Sequence, residues 1–439
     1  MIRASAEFFS RIMQRWLPDT FVIAIILTAV VFLAGMVTQG QGIGAMADHW
    51  GNGVWKLLGF SMQMVLILVL GTVLAMSRPV KAALRAIARM ASTPSQGIIL
   101  VTLTSMMALW VNWGFGLVVG ALLAREVASH VKNSHFPLLI AAAYSGLLVW
   151  HSGLSGSIPL KIASTGDDAL SQLLNGQTVP LLETIFAWQN IAIIIALAIS
   201  LPILNILMMP DKNNRLGLAA EEEPEPAVDL RAMSPAEKLE HYPIINFLLV
   251  AIGAVYLFGF FSSGRSISLN EINLCLLLAG LALHINPRNY LNAMNSAIGN
   301  SSGIILQFPL YAGVMGMMVG SGLAGAMSQW FVDISSAQSF PVITFLSAGV
   351  VNFFVPSGGG QWAVQAPIVV PAAAELGVPV SKAAMAVAWG DAWTNMIQPF
   401  WALPLLALSG LNLRQIMGYC VVILLWSGAL ISSMIYSFY

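Results

Sequence analysis

Two short stretches in the middle of long apolar segments combine glycine with side chains that can form hydrogen bonds. The first, 112–116, reads Asn-Trp-Gly-Phe-Gly, and the second, 351–360, contains Asn352 and Ser357 followed by three glycines. Groups of these types bind a small polar or charged ligand through hydrogen bonds and exposed backbone dipoles. Inside a bilayer, such irregular backbone is tolerated only where protein buries it or where it lines a wet cavity.

Each stretch is followed by a second apolar segment that is itself interrupted. These interruptions are 150–159, which contains His151, and 391–399, which begins with Asp391. A broken helix exposes N–H groups at the start of one half and carbonyls at the end of the other. The N–H ends attract an anion and the carbonyl ends coordinate a cation. With serine, threonine and asparagine nearby and few charges, the four breaks suit a small organic anion.

Asp391 is the one acidic residue well inside a predicted membrane span. An intramembrane carboxylate is costly and is a functional hypothesis by default, so we expect Asp391 to bind a coupling cation or to carry a coupling proton. The alternative is a structural partner for a nearby donor. His151 is a second candidate for moving a proton, although a single histidine in a span also serves as a hydrogen-bonded packing residue.

The predicted site is divided between substrate and coupling ion. The residues predicted to bind substrate are Asn112, Trp113, Gly114, Gly116, Ser152, Ser155, Asn352, Ser357, Gly358, Gly359, Thr394 and Asn395. The coupling ion or proton is assigned to Asp391, Asn112, Asn352 and His151, and an alkyl tail to Trp113, Phe115, Phe353 or Trp362. No cofactor and no metal beyond a Na⁺ site are expected. For any single serine or glycine, close helix packing is the alternative role.

The composition is that of an integral membrane protein. Of 439 residues, 58% are hydrophobic and only 9% are charged, whereas a soluble domain carries roughly 25% charged residues. The 19 basic and 19 acidic side chains cancel, which indicates no nucleic-acid partner. Cys275 and Cys420 lie in apolar runs, so we expect packed thiols rather than a disulfide. The sequence contains no zinc-ligand spacing, nucleophile elbow or phosphate loop, and enzyme activity is not expected.

The apolar runs predict an all-α polytopic protein with about nine transmembrane helices. Two further regions, 96–130 and 340–377, have arms of about 14–17 residues, or ~21–26 Å as helix, which is marginal for a ~30 Å hydrocarbon core. We interpret each as a re-entrant hairpin, with a pair of short full spans as the alternative. The nine spans are expected near 21–39, 54–76, 136–158, 185–208, 244–262, 271–285, 298–320, 383–408 and 416–437.

Lysine and arginine positions predict the orientation. Basic residues flank the region 96–130 at both ends, which places both ends in the cytoplasm by the positive-inside rule. The basic segment 78–91 is typical of an interfacial helix. With hairpins at both regions and a cytoplasmic N-terminus, 15 of the 19 basic residues fall inside, and only Lys56, Lys161, Arg265 and Lys382 fall outside.

The same layout predicts two repeats of inverted topology. The first repeat is 1–208 and the second is 263–439, with 244–262 as the connecting helix that inverts the second. The acidic, proline-bearing segment 209–243 is expected to be a flexible cytoplasmic linker. Paired breaks at corresponding positions of inverted repeats are typical of the binding site of a secondary transporter.

Longer motifs around these breaks occur along the whole chain: Asn112–Gly120, Val355–Gly360, Gln398–Pro404, Trp16–Asp19 and Ile416–Cys420. Together they resemble the bacterial short-chain fatty acid transporter family of AtoE type, essentially end to end. The resemblance implies uptake of short-chain fatty acids such as butyrate or acetoacetate across the bacterial inner membrane. It further implies an ion-transporter-like carrier that is a homodimer and works by an elevator movement.

The predicted function is a secondary active transporter that imports short-chain monocarboxylates and is coupled to Na⁺ or H⁺. A carrier of the same architecture for another small organic anion, such as a dicarboxylate, is the alternative. No arginine lies near the four interruptions at 112–116, 150–159, 351–360 and 391–399 to bind a second carboxylate. A second alternative, from a different functional class, is an anion channel with re-entrant pore loops.

Overall fold

The protein is helical throughout the part that the computed structural model describes, which is residues 2–163, 174, 178–218, 233–263, 269–356 and 358–439. The predicted all-α fold class is confirmed, with no strand in these ranges. The α-helices are Ile2–Trp16, Thr20–Gln39, Ile43–Val54, Leu58–Met76, Arg78–Ala88, Pro94–Val111, Trp113–His130, Phe136–Ser145, Ser157–Ile162, Trp188–Leu207, Pro235–Glu240, Pro243–Ser262, Leu269–His284, Pro287–Ile298, Ser302–Gly320, Leu323–Asp333, Phe340–Phe354, Gly358–Glu375, Val380–Thr394, Pro399–Ser409 and Leu413–Phe438.

Six helices within the described ranges are long and apolar enough to cross a membrane. Five of them coincide with spans predicted from the sequence, and the sixth is an arm of the predicted region 96–130. The other predicted spans correspond to shorter, bent or interrupted helices, so the total of about nine stays a prediction. The six are Phe21–Gln39, Pro94–Val111, Trp188–Leu207, Pro235–Ser262, Ser302–Gly320 and Leu413–Phe438.

A sharp bend separates a long apolar helix from the basic helix that follows it. The helices Ser61–Met76 and Arg78–Ala88 meet at 82°. Ser77 between them has an extended backbone, and Pro79 lies in the first turn of the second helix, where its fixed φ favours the helix and its missing N–H has no intrahelical partner to lose. The segment 78–91 is therefore mostly helical as predicted, while its position at a membrane interface stays a prediction.

Two hairpins and two broken helices carry the polar breaks. Each interruption overlaps the stretch that the sequence predicts, but residues 113–116, 157–159, 358–360 and 391–394 of those stretches are helical. In each broken helix, a short 3₁₀ segment follows the first half, at Gly146–Val149 and at Asn395–Ile397. The first hairpin is Pro94–Val111 with Trp113–His130, the second hairpin is Phe340–Phe354 with Gly358–Glu375, the first broken helix is Phe136–Ser145 with Ser157–Ile162, and the second broken helix is Val380–Thr394 with Pro399–Ser409.

The two arms of the first hairpin pack through a seam of small residues. A methyl group on Gly116 would overlap Leu109 of the other arm, and one on Gly120 would lie 2.6 Å from Ser105 Oγ. The arms run antiparallel, since moving four residues along one arm moves four residues back along the other. Such close backbone approach requires glycine. The chain therefore turns back on itself at Asn112.

The arms of the second hairpin are tied together by glutamine side chains. Gln361 Nε2 donates to the carbonyl of Ala348 at 2.8 Å, and Gln365 Nε2 donates to Ser347 Oγ at 3.3 Å. Both glutamines are fully buried, and hydrogen bonding offsets much of the cost of burying an amide. Both interrupted regions are thus antiparallel helical hairpins, and their re-entrant placement in a bilayer stays a prediction.

Segments that the charge pattern assigns to the inner side contact one another. Arg3 of the N-terminal helix pairs with Asp211, which follows the helix Trp188–Leu207. Arg125, near the end of the first hairpin, donates to the carbonyl of Leu408 at 3.3 Å, near the end of the second broken helix. These distant parts of the sequence therefore share a face of the molecule, as the predicted topology requires.

The predicted linker 209–243 is described only in part, since residues 219–232 lie outside the described ranges. Before that gap, the N–H of Leu216 donates to His135 Nδ1 at 3.0 Å and so attaches this segment to the start of the first broken helix. After it, Pro235–Glu240 forms a short helix. The parts that the structure describes are thus folded against the protein or helical, and the domain boundaries stay predictions.

Candidate functional site

Asn352, near the tip of the second hairpin, donates hydrogen bonds to the second broken helix. Its fully buried Nδ2 lies 2.9 Å from the carbonyl of Asp391, 3.0 Å from Thr394 Oγ1 and 2.7 Å from Asn395 Oδ1. Because a backbone carbonyl only accepts hydrogen bonds, the amide nitrogen must face these three groups. The structure therefore brings four predicted site residues into contact.

Gln398 joins the same hairpin tip to the other half of the second broken helix. Its Nε2 donates to the carbonyl of Phe353 at 2.8 Å, and its Oε1 accepts from the N–H of Phe400 at 3.3 Å. The side chain thereby caps the helix Pro399–Ser409, satisfying one of the free N–H groups of its first turn. The tip of the second hairpin is bonded to both halves of the broken helix.

The tip of the first hairpin is bonded to the first broken helix in a similar way, although its asparagine has a different role. Asn112 Oδ1 accepts from the N–H of Phe115 at 3.1 Å and caps the second arm of its own hairpin. The backbone N–H of Trp113 donates to Ser155 Oγ at 3.1 Å. A single serine therefore anchors the start of the second arm at the break of the first broken helix.

Trp110, near the end of the first arm, completes this attachment. Its Nε1 donates to the carbonyl of Ser152 at 3.2 Å, and its carbonyl accepts from the N–H of Leu154 at 2.8 Å. A methyl group on Gly153 would overlap the Trp110 backbone, so this glycine permits the close approach. The hydroxyl of Ser152 donates within its own turn, to the carbonyl of Val149 at 2.8 Å.

The two broken helices also contact each other. Tyr144 Oη donates to the carbonyl of Asn395 at 2.6 Å, and His151 Nε2 lies 3.9 Å from Asp391 Oδ1 with both side chains fully buried. This second distance is too long for a hydrogen bond. A methyl group on Gly358, the first residue of the second arm of the second hairpin, would overlap the His151 ring. Both broken helices and the second hairpin therefore converge on His151.

Aromatic rings connect this point to the first hairpin. The ring of Trp150 lies 3.7 Å from that of His151 and 6.0 Å from that of Trp113, measured between centroids. Trp113 in turn lies 5.1 Å from Trp401 of the second broken helix, edge to face, an arrangement that favours aromatic pairs. The tips of both hairpins thus reach the Trp150–His151 pair.

Four buried side chains at this meeting point have polar atoms with no hydrogen-bond partner among the described residues. Asn352 Oδ1 and Asp391 Oδ2 are acceptors, whereas Trp150 Nε1 is a donor and the two ring nitrogens of His151 supply at least one N–H. Buried polar atoms are nearly always paired, so these four side chains are groups at the meeting point with hydrogen-bonding capacity left for a ligand. The acceptors suit a cation and the donors suit an anion.

Several predicted substrate residues have other surroundings. Gly116 packs between the arms of the first hairpin, and Gly114 faces a neighbouring helix. Gly359 faces open space, because a methyl group there would meet no atom within 4 Å. Ser357 lies outside the described residues. The assignment of these four residues to substrate binding stays a prediction.

The four aromatic residues predicted to contact an alkyl tail differ in their exposure. Trp113 and Trp362 are buried, Phe353 is half-buried, and Phe115 is 39% exposed. Sequence reasoning missed Tyr144, Trp150, Gln398 and Trp401 as members of the site. Trp150 and Gln398 lie next to predicted residues in the chain, but nothing in the sequence of Tyr144 or Trp401 separates them from aromatic residues that only pack.

Comparison with known families decides the class of protein. The family described as "Short chain fatty acid transporter" matches residues 1–438. The chain belongs to the short-chain fatty acid transporter family. A relative from Escherichia coli (strain K12), provisionally named a short-chain fatty acid transporter, is 44% identical over 435 residues and covers 98% of each chain. One of the same name from Haemophilus influenzae (strain ATCC 51907 / DSM 11121 / KW20 / Rd) is 40% identical over 436 residues, 97% of this chain and 98% of its own.

Two solved structures are similar at a greater distance. The YdaH transporter of Alcanivorax borkumensis is 15% identical, with a TM-score of 0.43, and covers 95% of this chain and 98% of its own. MtrF of Neisseria gonorrhoeae, described as illuminating a class of antimetabolite efflux pumps, is 14% identical with a TM-score of 0.39 and covers 97% of each chain. Likenesses this weak carry no argument about fold or function.

Family membership and the apolar helices establish the coarse function. The chain is a multi-pass membrane protein of a transporter family, so it lies in a lipid bilayer and binds a small substrate. The family resemblance inferred from the motifs is confirmed. Membership in a transporter family indicates a carrier rather than an enzyme.

Proposed function

We propose that this transporter imports short-chain monocarboxylates such as butyrate and couples their uptake to Na⁺ or H⁺. The observation that carries the proposal is the convergence of four polar breaks on Asp391 and His151, which lie 3.9 Å apart in a fully buried environment. A site built from breaks in two hairpins and two helices is typical of secondary transporters. The substrate class is supported by the family and by the lack of arginine at this meeting point among the residues that the structure describes.

Asp391 and Asn352 form the cation end of the proposed site. Asp391 Oδ2 and Asn352 Oδ1 are both buried and have no hydrogen-bond donor in the described part of the chain. A buried carboxylate with no paired cation is strongly unfavourable. Na⁺ bound by these oxygens, or a proton on the carboxylate, would remove that cost and supply the coupling.

We propose that the two halves are inverted repeats, which would provide an alternating-access mechanism. In both halves of the chain, the described helices occur in the same order: a long helix preceded by a turn, then a hairpin, a broken helix and a final long helix. Each arm of the first hairpin has 18 residues, or about 27 Å at 1.5 Å per residue, which is at the lower limit for a full span, so the re-entrant placement rests on the basic residues at both ends of the hairpin. We propose re-entrant hairpins, a cytoplasmic N-terminus in the bacterial inner membrane, a homodimer and an elevator movement.

Counterflow of labelled butyrate in proteoliposomes tests this function. We expect saturable uptake that is accelerated by butyrate inside the vesicles and driven by a gradient of either Na⁺ or H⁺, each imposed separately. Empty liposomes and an excess of succinate serve as controls. Inhibition by succinate at equal or lower concentration than by butyrate would favour a dicarboxylate carrier, and large unitary currents in planar bilayers would favour a channel.

A further inference from the structure

The amide of Asn352 is unsuited to binding the substrate carboxylate. Its Nδ2 is already within 3.0 Å of three oxygens of the second broken helix, which leaves only Oδ1 for a ligand. An amide oxygen accepts hydrogen bonds and offers nothing to a carboxylate oxygen, which also accepts. The donors for the carboxylate must therefore come from other residues.

We infer that Trp150 and His151 donate the hydrogen bonds that hold the substrate carboxylate, an inference that rests on the proposed function. The two side chains are 1% and 0% exposed, and their rings lie 3.7 Å apart. The indole N–H and the imidazole nitrogens have no hydrogen-bond partner within the described ranges. Two adjacent donors suit the two oxygens of one carboxylate, and charge-assisted hydrogen bonds of this kind are strong.

The second hairpin supplies the remaining positive field. Its second arm is an 18-residue helix that begins at Gly358, and this residue packs directly against the His151 ring. The N-terminal end of a helix carries a partial positive charge and free N–H groups, which favour a bound anion. The start of this helix thus provides positive field for a carboxylate at His151 without a full countercharge.

This placement explains why substrate and cation would bind together. Asp391 Oδ1 lies 3.9 Å from His151 Nε2, so a carboxylate bound by the same imidazole lies within about 7 Å of the Asp391 carboxyl. Two negative charges at that distance repel strongly in a buried environment of low effective dielectric. The substrate therefore binds well only when a cation or a proton neutralises Asp391.

Substitution of Trp150 tests the inference in proteoliposomes containing the full chain. Trp150→Phe removes the N–H donor and keeps a smaller aromatic ring, while Trp55→Phe makes the same change at a 65% exposed position. We expect Trp150→Phe to raise the KM for butyrate counterflow about ten- to hundredfold, the range for losing one hydrogen bond to a charged group. The maximal rate should change less than KM, and Trp55→Phe should match the wild type.

Variants of His151 and Gly358 keep the inference testable if Trp150→Phe does not fold. His151→Gln retains an N–H donor and should bind butyrate more tightly than His151→Ala. Gly358→Ala removes no donor but displaces the His151 ring, so it should also raise KM, whereas Gly51→Ala enters open space and should have no effect.

The outcomes separate the two proposals. If the wild-type protein transports butyrate and the KM values of Trp150→Phe and His151→Ala both lie within twofold of the wild-type KM, the assignment of the carboxylate donors is overturned and the proposed function stands. A wild-type protein that transports no monocarboxylate would overturn the proposed function itself.

Discussion

Asn112 lies at the break of the first hairpin and Asn352 lies in the last turn before the break of the second, and their amides bond in opposite directions. Asn112 Oδ1 accepts from the N–H of Phe115 at 3.1 Å, whereas Asn352 Nδ2 donates to three oxygens at 2.7–3.0 Å. The first asparagine therefore stabilises its own hairpin, and the second connects its hairpin to the second broken helix. The two halves have a similar order of elements but contribute differently to the site.

Replacing each asparagine by aspartate should separate these roles. Asp caps a helix as well as Asn does, so Asn112→Asp costs only the burial of a charge at this 6% exposed position, which the N-terminus of the helix partly offsets, and it should destabilise the protein less than Asn352→Asp does. Asn352→Asp removes the donor and places a carboxylate against three oxygens and near Asp391, so it should cost about 3 kcal/mol, as for breaking other buried polar networks. Thermal unfolding of the purified variants measures the difference. Equal melting temperatures for the two variants would contradict the assigned directions of the amides.

Asp391→Asn should uncouple transport from the ion gradient. The substitution keeps the shape of the side chain and removes the charge that we propose the cation or proton neutralises. Exchange of labelled for unlabelled butyrate should persist, while an imposed Na⁺ or H⁺ gradient should lose most of its ability to drive uptake. The comparison of gradient-driven uptake with counterflow in the same vesicles measures this effect. Gradient-driven uptake equal to wild type would show that coupling resides elsewhere.

Cysteine labelling tests the predicted orientation. Lys56 and Lys212 are both exposed and are assigned to opposite sides of the membrane. In a Cys275→Ser background, Lys56→Cys should react with a membrane-impermeant maleimide in intact cells, and Lys212→Cys should react only after permeabilisation. The Cys275→Ser protein without an added cysteine, in which the buried Cys420 remains, is the control for background labelling. Labelling of both positions from outside would exclude the proposed topology.

The fold was largely predictable because breaks in apolar segments are rare and conspicuous. Asn112 and Asn352 interrupt runs that otherwise favour continuous helix, and the helices of both hairpins end within a residue or two of them. The broken helices around His151 and Asn395 were predictable for the same reason. The bends and exact bounds depend on neighbours, as with the 82° bend after Met76.

The partners within the site were less predictable. A sequence identifies Asn352 as a polar group in an apolar run, but it does not reveal whether its amide donates to the protein or to a ligand. In the sequence, Trp150 is no different from tryptophans that only pack in the core. Only the tertiary structure reveals that its N–H has no hydrogen-bond partner among the described residues. Gly116 matches the pattern of a binding loop, yet its lack of a side chain is required by contact with Leu109.

The most direct test of the central claim is to locate a bound substrate analogue. Crystals of the transporter soaked or grown with 4-bromobutyrate would reveal the bromine by anomalous scattering and the carboxylate by its density. We predict the carboxylate within hydrogen-bond distance of Trp150 Nε1 and the His151 ring, beside Gly358, with the bromine against neighbouring aromatic side chains. An analogue bound only at a site that contacts neither broken helix would contradict the claim that substrate binds where the breaks converge.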